Sequence, residues 1–208
     1  MRIYLASGSP RRKELLSWFG LPFKTVEHGF DEGSVRMDSL KELAGELALR
    51  KAYVAAERVK SGLVIGADLI VDLKGKQLGK PKDLKEAKKM LRVLRNKTHR
   101  IYTGLAVIKA EVDESVMSVA EAKVKMKNYS DEIIERYIKE FEVLDKGGSY
   151  SIKYQLSGYG SLVKKHEGGL TTILGLPLHY LETLLLEFKV KPKKDWQKKC
   201  KVETGYEY

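Results

Sequence analysis

Apolar residues alternate with polar ones at the start of the chain and then recur at helical spacing. Met1 to Ala6 has the alternation of a short strand, and the helical spacing begins at Pro10. Ser9 stands at the N-cap position of this helix, Pro10 at its first position, and Gly20 beyond its end. The pattern predicts a strand, a turn and a helix in that order.

Four further helices are predicted because a capping residue is followed by apolar residues three and four positions apart. The capping residues are Ser39 with Glu42, Asp83 with Glu86, Ser130 or Asp131, and Pro177. The helix that begins at Pro177 is expected to be the last one of the chain.

Three longer strands are predicted between these helices. Leu63 to Leu73 has apolar residues at every second position, with Asp68 on the opposite side. The letters KGKQ after it predict a tight turn. Two longer strands are expected next. In the second, residues 116–126, side chains of two kinds alternate, as in a strand of an antiparallel sheet with one face exposed to solvent.

Length and charge narrow the choice of partner. A chain of 208 residues is long enough for one large domain or two closely joined lobes with a hydrophobic core. The formal net charge of +11 fits a partner that carries phosphates, whether nucleic acid, nucleotide or membrane surface. Part of this charge lies in Lys189 to Lys201, which we interpret as an appended basic tail and a solvated terminus.

Cysteine usage and hydropathy predict the compartment. Cys200 is the only cysteine, and no secretory apolar region stands at the N-terminus. No apolar run approaches the roughly 20 residues that cross a bilayer. We therefore expect a soluble protein of the reducing cytoplasm that does not contact a membrane.

The first predicted helix has an unusual charge pattern. Arg11, Arg12 and Lys13 stand in its first turn, where the helix dipole disfavours each cation by about 0.3–1 kcal/mol at low salt. An anion bound at the helix N-terminus would reverse that sign, and Ser7 and Ser9 could donate hydrogen bonds to it. The alternative is that Ser9 only caps the helix and the basic residues only increase solubility.

Asp68 is a second candidate, because a carboxylate inside an apolar strand needs a cation, a metal or solvent. Lys51 in the preceding helix and Lys80 before the following one are candidate partners. Asp31 and Glu32 add carboxylates in a loop. The alternatives are a structural ion pair for Asp68 and an ordinary polar turn for Asp31 and Glu32.

Several common sites are excluded by spacing. Gly75 to Pro81 is one residue short of a P-loop and has Pro where Ser or Thr must hold magnesium. The four histidines lack the spacing of metal ligands, and each is expected to be a surface or packing residue. No G-x-S-x-G motif supports a serine hydrolase.

Taken in order, these segments resemble the Maf family of nucleotide pyrophosphatases. The matching segments are LASGSPRRKELL, DE at Asp31 and Glu32, LALRKA around Lys51, GADLIV around Asp68, LGKP at Lys80, THRIYTG, LDKGGSYSI and GLPL. Each motif alone is only weakly specific for the family, and the resemblance rests on the order and spacing of all of them together.

The resemblance implies an α/β fold with a twisted mixed β-sheet and flanking helices. It implies two lobes around a cleft, as in the inosine triphosphate pyrophosphatase (anvil) fold, and a homodimer. It places a single catalytic domain at residues 1–190 and leaves 191–208 as the basic tail. The implied reaction is hydrolysis of a nucleoside triphosphate between its α and β phosphates, with a divalent cation, Mg²⁺ or Mn²⁺, in the control of non-canonical or excess nucleotides.

The resemblance also implies residue roles. Asp68 would accept a proton from water, and Glu32 would hold the divalent cation together with Asp68. The implied triphosphate-binding and charge-stabilising residues are Ser7, Arg11, Arg12, Lys51 and Lys80, and Lys80 is counted as catalytic with Asp68 and Glu32.

Two residues depart from the branch of the family that prefers dTTP and UTP. Leu69 stands where that branch usually has Thr, and Lys153 stands where it usually has Gln. An ammonium can only donate hydrogen bonds to a base, whereas an amide also accepts them. The two positions are candidate substrate-binding residues, and the sequence does not decide which nucleotide base is preferred.

A second hypothesis is a binding module linked to septum or division control, in which the basic surface contacts nucleic acid or a protein partner. Basic patches with interleaved aromatic residues are not evident in the sequence, so nucleic acid is the less expected partner.

Overall fold

The computed structural model describes residues 1–204, and the chain divides into two compact units. The first unit contains Met1–Leu69, Tyr102–Ala120 and the chain from Gly169 onward. The second contains Ile70–Ile101 and Glu121–Gly168. Two units agree with the two predicted lobes, and the domain limits 1–190 and 191–208 stay a prediction.

Helices and strands interleave along the chain, which confirms the predicted α/β class. The helices are α1 (Pro10–Ser17), α2 (Leu40–Ala56), α3 (Leu84–Leu94), α4 (Asp131–Glu140), α5 (Leu170–Leu174), α6 (Leu178–Glu187) and α7 (Trp196–Thr204). The strands are β1 (Ile3–Leu5), β2 (Lys24–Thr25), β3 (Leu63–Leu73), β4 (Lys76–Leu78), β5 (Thr98–Lys109), β6 (Glu114–Met126) and β7 (Val163–Glu167). Short 3₁₀ turns occur at Glu32–Ser34 and Gly147–Ser149.

The sheet is mixed, as predicted. In the first unit β1 is parallel to both β2 and β3, and the strand order is β2-β1-β3-β5-β6. In the second unit the order is β4-β3-β5-β6-β7, with β4 antiparallel to β3 and β7 antiparallel to β6. Small and β-branched residues of α2, β3 and β5, such as Ala52, Val64 and Ala106, form a buried cluster in the first unit.

Two glycines let α2 approach the sheet of the first unit. A Cβ atom added to Gly66 would lie 2.2 Å from the carbonyl oxygen of Ala48, and one added to Gly104 would lie 2.0 Å from that of Ala44. No side chain fits in such a gap, so the helix backbone rests directly on β3 and β5. This packing brings Lys51, less than one turn beyond Ala48, towards β3.

The second unit contains the predicted tight turn. Lys74 and Gly75 both have positive φ, 56° and 82°, and link β3 to β4 as a two-residue hairpin. The Asp72 carboxylate accepts a hydrogen bond of 2.6 Å from the amide of Gly75. The antiparallel register of β6 and β7 places Lys123 opposite Glu167.

β3 is buried on both sides, because α2 covers the side that holds Gly66, and Asp68 is only 7 % exposed. One expectation about the chain is wrong: the helix after Pro177 is not the last, since α7 follows it.

The interpretation of the tail as a solvated terminus is wrong for α7. Trp196 and Cys200 are buried, and the Trp196 indole donates a 2.9 Å hydrogen bond to Glu182 of α6. Residues 205–208 of the predicted tail lie outside the described residues. Within residues 1–204, no helix is both long and apolar enough to cross a membrane.

Candidate functional site

A buried lysine joins two carboxylates in the first unit. Lys51 is only 3 % exposed, and its Nζ lies 2.5 Å from Asp68 Oδ1 and 2.7 Å from Glu32 Oε1. The three residues come from α2, β3 and the 3₁₀ turn at Glu32–Ser34, and the close contact of α2 with β3 brings the first two together. Asp68 Oδ2 has no partner among residues 1–204, so one oxygen of this carboxylate remains for water or a ligand.

A second group surrounds the guanidinium of Arg12. Its Nε donates a 2.9 Å hydrogen bond to the carbonyl oxygen of Gly175, and its Nη1 donates one of 3.3 Å to Ser7 Oγ. Burial lowers the pKa of Arg12, and the nearby charge of Asp68 opposes this lowering. An arginine guanidinium is charged at neutral pH in any case. A partly buried cation fixed in this way can bind an anion with little loss of side-chain entropy.

The hydroxyl of Ser7 is arranged as a donor. Ser7 Oγ accepts hydrogen bonds from the amide of Ser9 at 3.2 Å and from Arg12 Nη1 at 3.3 Å. Both acceptor positions are then used, and the hydroxyl hydrogen remains to bind an oxygen atom of a ligand.

The N-terminus of α1 has no side-chain cap. Ser9 occupies the N-cap position as predicted, but its hydroxyl does not bond to the helix, so the capping alternative is wrong. The amides of the first turn therefore keep their donor capacity. Arg11 makes no hydrogen bond or ion pair with any side chain among residues 1–204, and it lies close enough to Arg12 to lower its pKa. The end of α1 has the donors and charge for an anion, as the sequence indicated.

Leu69 adjoins this group. A Cβ atom at Gly175 would lie 3.4 Å from Leu69 Cδ1 and 3.7 Å from Arg12 Nε. The residue after Asp68 thus reaches the surroundings of the arginine, which is consistent with its prediction as a substrate contact.

The second unit holds the remaining predicted residues. Lys80 is exposed just after β4, and the amide of Gly148 donates a 3.1 Å hydrogen bond to the carbonyl of Gly79. This bond joins the LGKP and LDKGGSY segments, which are far apart in sequence. Lys153 is exposed in the following loop, where its amide donates to Ser151 Oγ at 3.3 Å. The roles assigned to Lys80 and Lys153 stay predictions.

Sequence reasoning missed His28 as a member of the site. The pKa of His28 is lowered by partial burial and then by Lys51, with further influences from Glu32, Arg12 and Asp68. The ring therefore lies within electrostatic reach of the site in the first unit. The only sequence clue is its position in the loop before Glu32, four residues away, and that spacing fits no known motif.

The two carboxylates fit a divalent cation that completes its coordination with substrate. Glu32 and Asp68 both come within 2.7 Å of the Lys51 nitrogen, so the two carboxylates lie close to each other. Residues 1–204 contain no group of three or more His, Cys, Asp or Glu side chains that could hold a metal ion by themselves. Mg²⁺ is commonly bound by one or two carboxylates together with phosphate oxygens and water, which matches this pair.

Comparison with solved structures gives a distant likeness. The structure of the Ham1 protein of Staphylococcus aureus aligns with a TM-score of 0.44 at 13% identity, covering 62% of this chain and 73% of that one.

Comparison with known sequences gives a much stronger result. A dTTP/UTP pyrophosphatase of Dictyoglomus turgidum is 42% identical over 89% of this chain and 95% of its own length. One of Caldanaerobacter subterraneus subsp. tengcongensis is 43% identical over 100% of this chain and 95% of its own. The family model described as Maf-like protein matches residues 2–188, and this chain therefore belongs to the Maf family.

Proposed function

We propose that this protein is a nucleoside triphosphate pyrophosphatase. It hydrolyses the anhydride between the α and β phosphates and releases a nucleoside monophosphate and pyrophosphate. The observation that carries the proposal is the buried Lys51, which joins Asp68 and Glu32 in the unit that also holds Arg12 and the uncapped end of α1.

The substrate phosphates bind at the N-terminus of α1. The free amides, the Ser7 hydroxyl and the guanidinium of Arg12 all supply hydrogen-bond donors there, and Arg11 adds charge. Binding an anion relieves the unfavourable interaction between the two arginines and the helix dipole. The same donors stabilise the charge that develops on the phosphate oxygens in the transition state.

Asp68 positions the attacking water and accepts its proton. Lys51 occupies Oδ1 of Asp68 and orients the carboxylate, and Oδ2 is the oxygen that remains for the attacking water. The water oxygen forms a bond to one phosphorus of the α–β anhydride as the bond to the bridging oxygen breaks. Pyrophosphate leaves with the electron pair of that bond when the α phosphorus is attacked.

A divalent cation, Mg²⁺ or Mn²⁺, would be held by Glu32 and Asp68. Such an ion would neutralise phosphate charge and make water more acidic when bound.

We propose dTTP and UTP as the preferred substrates. The support is that several relatives at 40% identity or above are named dTTP/UTP pyrophosphatase. Leu69 and Lys153 differ from the residues usual in that branch, so the base preference needs a test of its own. The test compares the rates at which pyrimidine and purine triphosphates are hydrolysed. Removal of excess or non-canonical nucleotides is the corresponding role in the cell.

The test is a panel of nucleoside triphosphates with Mg²⁺ or Mn²⁺ and identification of both products. Release of monophosphate and pyrophosphate is expected, with ¹⁸O from labelled water in the monophosphate if the α phosphorus is attacked. Asp68→Asn should lower kcat about a hundredfold or more. Asp72→Asn is the matched control, because Asp72 is the other buried carboxylate of β3 and, among residues 1–204, its side chain bonds only to the hairpin amide of Gly75. Release of orthophosphate, or full activity of Asp68→Asn, would contradict the proposal.

We also propose that the protein is a homodimer in the cytoplasm. The support is membership of the Maf family, since the resemblance to that family implies a homodimer. Light scattering of the purified full chain measures the mass against the 23.6 kDa of one chain, and a monomer at all concentrations would contradict the dimer.

A further inference from the structure

The loop that presents Glu32 to Lys51 is held by few contacts. It leaves the sheet after Val26, whose amide donates to the carbonyl of Leu5 at 3.0 Å, and reaches the 3₁₀ turn that begins at Glu32. Within residues 27–30, two contacts fix the backbone. Arg58 Nη1 donates to the carbonyl of Glu27 at 2.6 Å, and the amide of Phe30 donates to the His28 ring.

The contact of His28 closes a turn inside the loop. Its Nδ1 accepts a 3.1 Å hydrogen bond from the amide of Phe30, two residues further on. Gly29 between them has φ of +60°, and a Cβ there would lie 3.0 Å from Arg58 Nη2. The turn therefore needs both the acceptor on residue 28 and the glycine that follows it.

The turn leads directly into the residue that meets Lys51. Asp31 accepts a hydrogen bond from the amide of Gly33 and thereby begins the 3₁₀ turn, which places Glu32 Oε1 at 2.7 Å from Lys51 Nζ. The Glu32 side chain is half exposed, so burial holds only part of it in place. Its position depends on the backbone that precedes it.

We propose that His28 is a positioning residue, whose Nδ1 holds the Phe30 amide and so fixes the loop that carries Glu32 to Lys51. This inference deepens the proposed pyrophosphatase function and rests on it. His28 acts through the loop and does not touch the reacting atoms.

The chemistry of the ring agrees with this role. Because Nδ1 accepts a hydrogen bond from an amide, the proton of the neutral ring is on Nε2. Partial burial and the cations Lys51 and Arg12 disfavour the charged ring, with Glu32 and Asp68 opposing them, and the net result is a lowered pKa. At neutral pH the ring is therefore uncharged and Nδ1 is available as an acceptor.

Three substitutions separate positioning from other roles. His28→Asn keeps an acceptor at the position of Nδ1, since an Asn side chain forms the same turn with the amide two residues on. His28→Gln moves the acceptor one bond further out, and His28→Ala removes it. All three remove the imidazole, so a role that needs the ring itself would be lost equally in each.

The expected result is that His28→Asn keeps kcat within about twofold of the parent, while His28→Gln and His28→Ala lose about tenfold in kcat with little change in KM. Equal loss in all three variants, or no loss in any, would overturn the inference. A change confined to KM would overturn it as well, because it would place the ring against substrate.

A second measurement does not depend on activity. Hydrogen exchange of the Phe30 amide in the metal-free protein should be slow in the parent and in His28→Asn, and about tenfold faster in His28→Gln and His28→Ala. Unchanged exchange in His28→Ala would overturn the inference. If the parent cleaves no nucleotide, the proposed function fails, and the exchange experiment still decides whether His28 holds the loop.

Discussion

Lys51 has a structural and a chemical task at once. It is the buried cation that makes the burial of Asp68 tolerable, and it also sets the orientation of that carboxylate. A sequence with so many lysines gives no means to choose this one. The structure identifies Lys51 as the partner of Asp68, which the sequence alone does not do.

Replacing Lys51 with Met should separate these tasks. The variant leaves Asp68 buried without its cation, which should cost about 3 kcal/mol in the free energy of unfolding. In Lys51→Met combined with Asp68→Asn, no buried carboxylate is left without its cation, and Glu32 is half exposed, so the double variant should be more stable than Lys51→Met alone. Urea unfolding of the parent, both single variants and the double variant measures the coupling.

The outcome for activity should differ from that for stability. The double variant should recover stability and remain inactive on every nucleotide that the parent cleaves. Strictly additive losses of stability would contradict the ion pair, and an active double variant would contradict the role of Asp68.

The elements were visible in the sequence to unequal degrees. Capping residues predicted the starts of α2, α3 and α4, and the structure confirms that the side chains of Ser39, Asp83 and Ser130 each accept a hydrogen bond from an amide of the first turn. α5 has five residues that are all buried, so it lacks the alternation of exposed and buried positions that a periodicity argument needs. α7 was missed because its lysines dominate the composition and only Trp196 and Cys200 turn inward.

The contact between α2 and the sheet gives a prediction at the scale of elements. Gly66→Ala would place a methyl group 2.2 Å from the carbonyl oxygen of Ala48, and the helix must move away from β3. We expect a loss of about 3 kcal/mol in stability, together with lower activity because Lys51 moves with the helix. Thermal and urea unfolding measure the first effect, and nucleotide hydrolysis the second.

The matched control is Gly79→Ala, because no atom lies within 4 Å of a Cβ at that position. Its stability should stay close to that of the parent. Equal stability of the two variants would contradict the idea that the glycine in β3 is required for helix packing.

α7 gives a second prediction at this scale. Trp196 packs against Phe19 at the end of the α1 segment with ring centroids 6.2 Å apart, and the amides of Lys193 and Lys194 donate to the Phe19 carbonyl. Trp196→Ala should therefore destabilise the first unit by about 3 kcal/mol. Gln197→Ala, at the neighbouring exposed position, should leave the unfolding midpoint unchanged. Equal midpoints for the two variants would restore the interpretation of a solvated tail.

For the whole molecule, the order of motifs along the chain carried more information than any single motif. Ser7, Glu32, Lys51 and Asp68 lie on different elements, and only the parallel pairing of β1 with β3 and the packing of α2 bring them together. Local patterns predict strands and helices but not which oxygen meets which nitrogen. The resemblance to a family selected these residues but not their contacts, and His28, which has no place in the family motifs, was missed.

The second unit gives a prediction for the pH dependence of stability. His99 of β5 is 2 % exposed, its Nε2 lies 2.7 Å from the Tyr150 hydroxyl, and its Nδ1 is buried without a partner in the described chain. Burial lowers the pKa of His99 from 6.5 to about 4. Between these values the unfolded chain binds a proton that the folded chain does not bind, so stability is complete above pH 6.5 and falls towards pH 4.

The size of this effect follows from the shift in pKa. About 3 kcal/mol of the free energy of unfolding should be lost across the whole window, and about 2 kcal/mol of it by pH 5. His99→Gln keeps a group that can bond to Tyr150 but cannot titrate, so its stability should change less over the same range. Urea unfolding of both proteins at pH 7.5 and pH 5 measures the difference. Parallel losses in the two proteins would assign the acid sensitivity to groups other than His99. Asp131 is not one of them, because its pKa of about 2 places its contribution below the tested range.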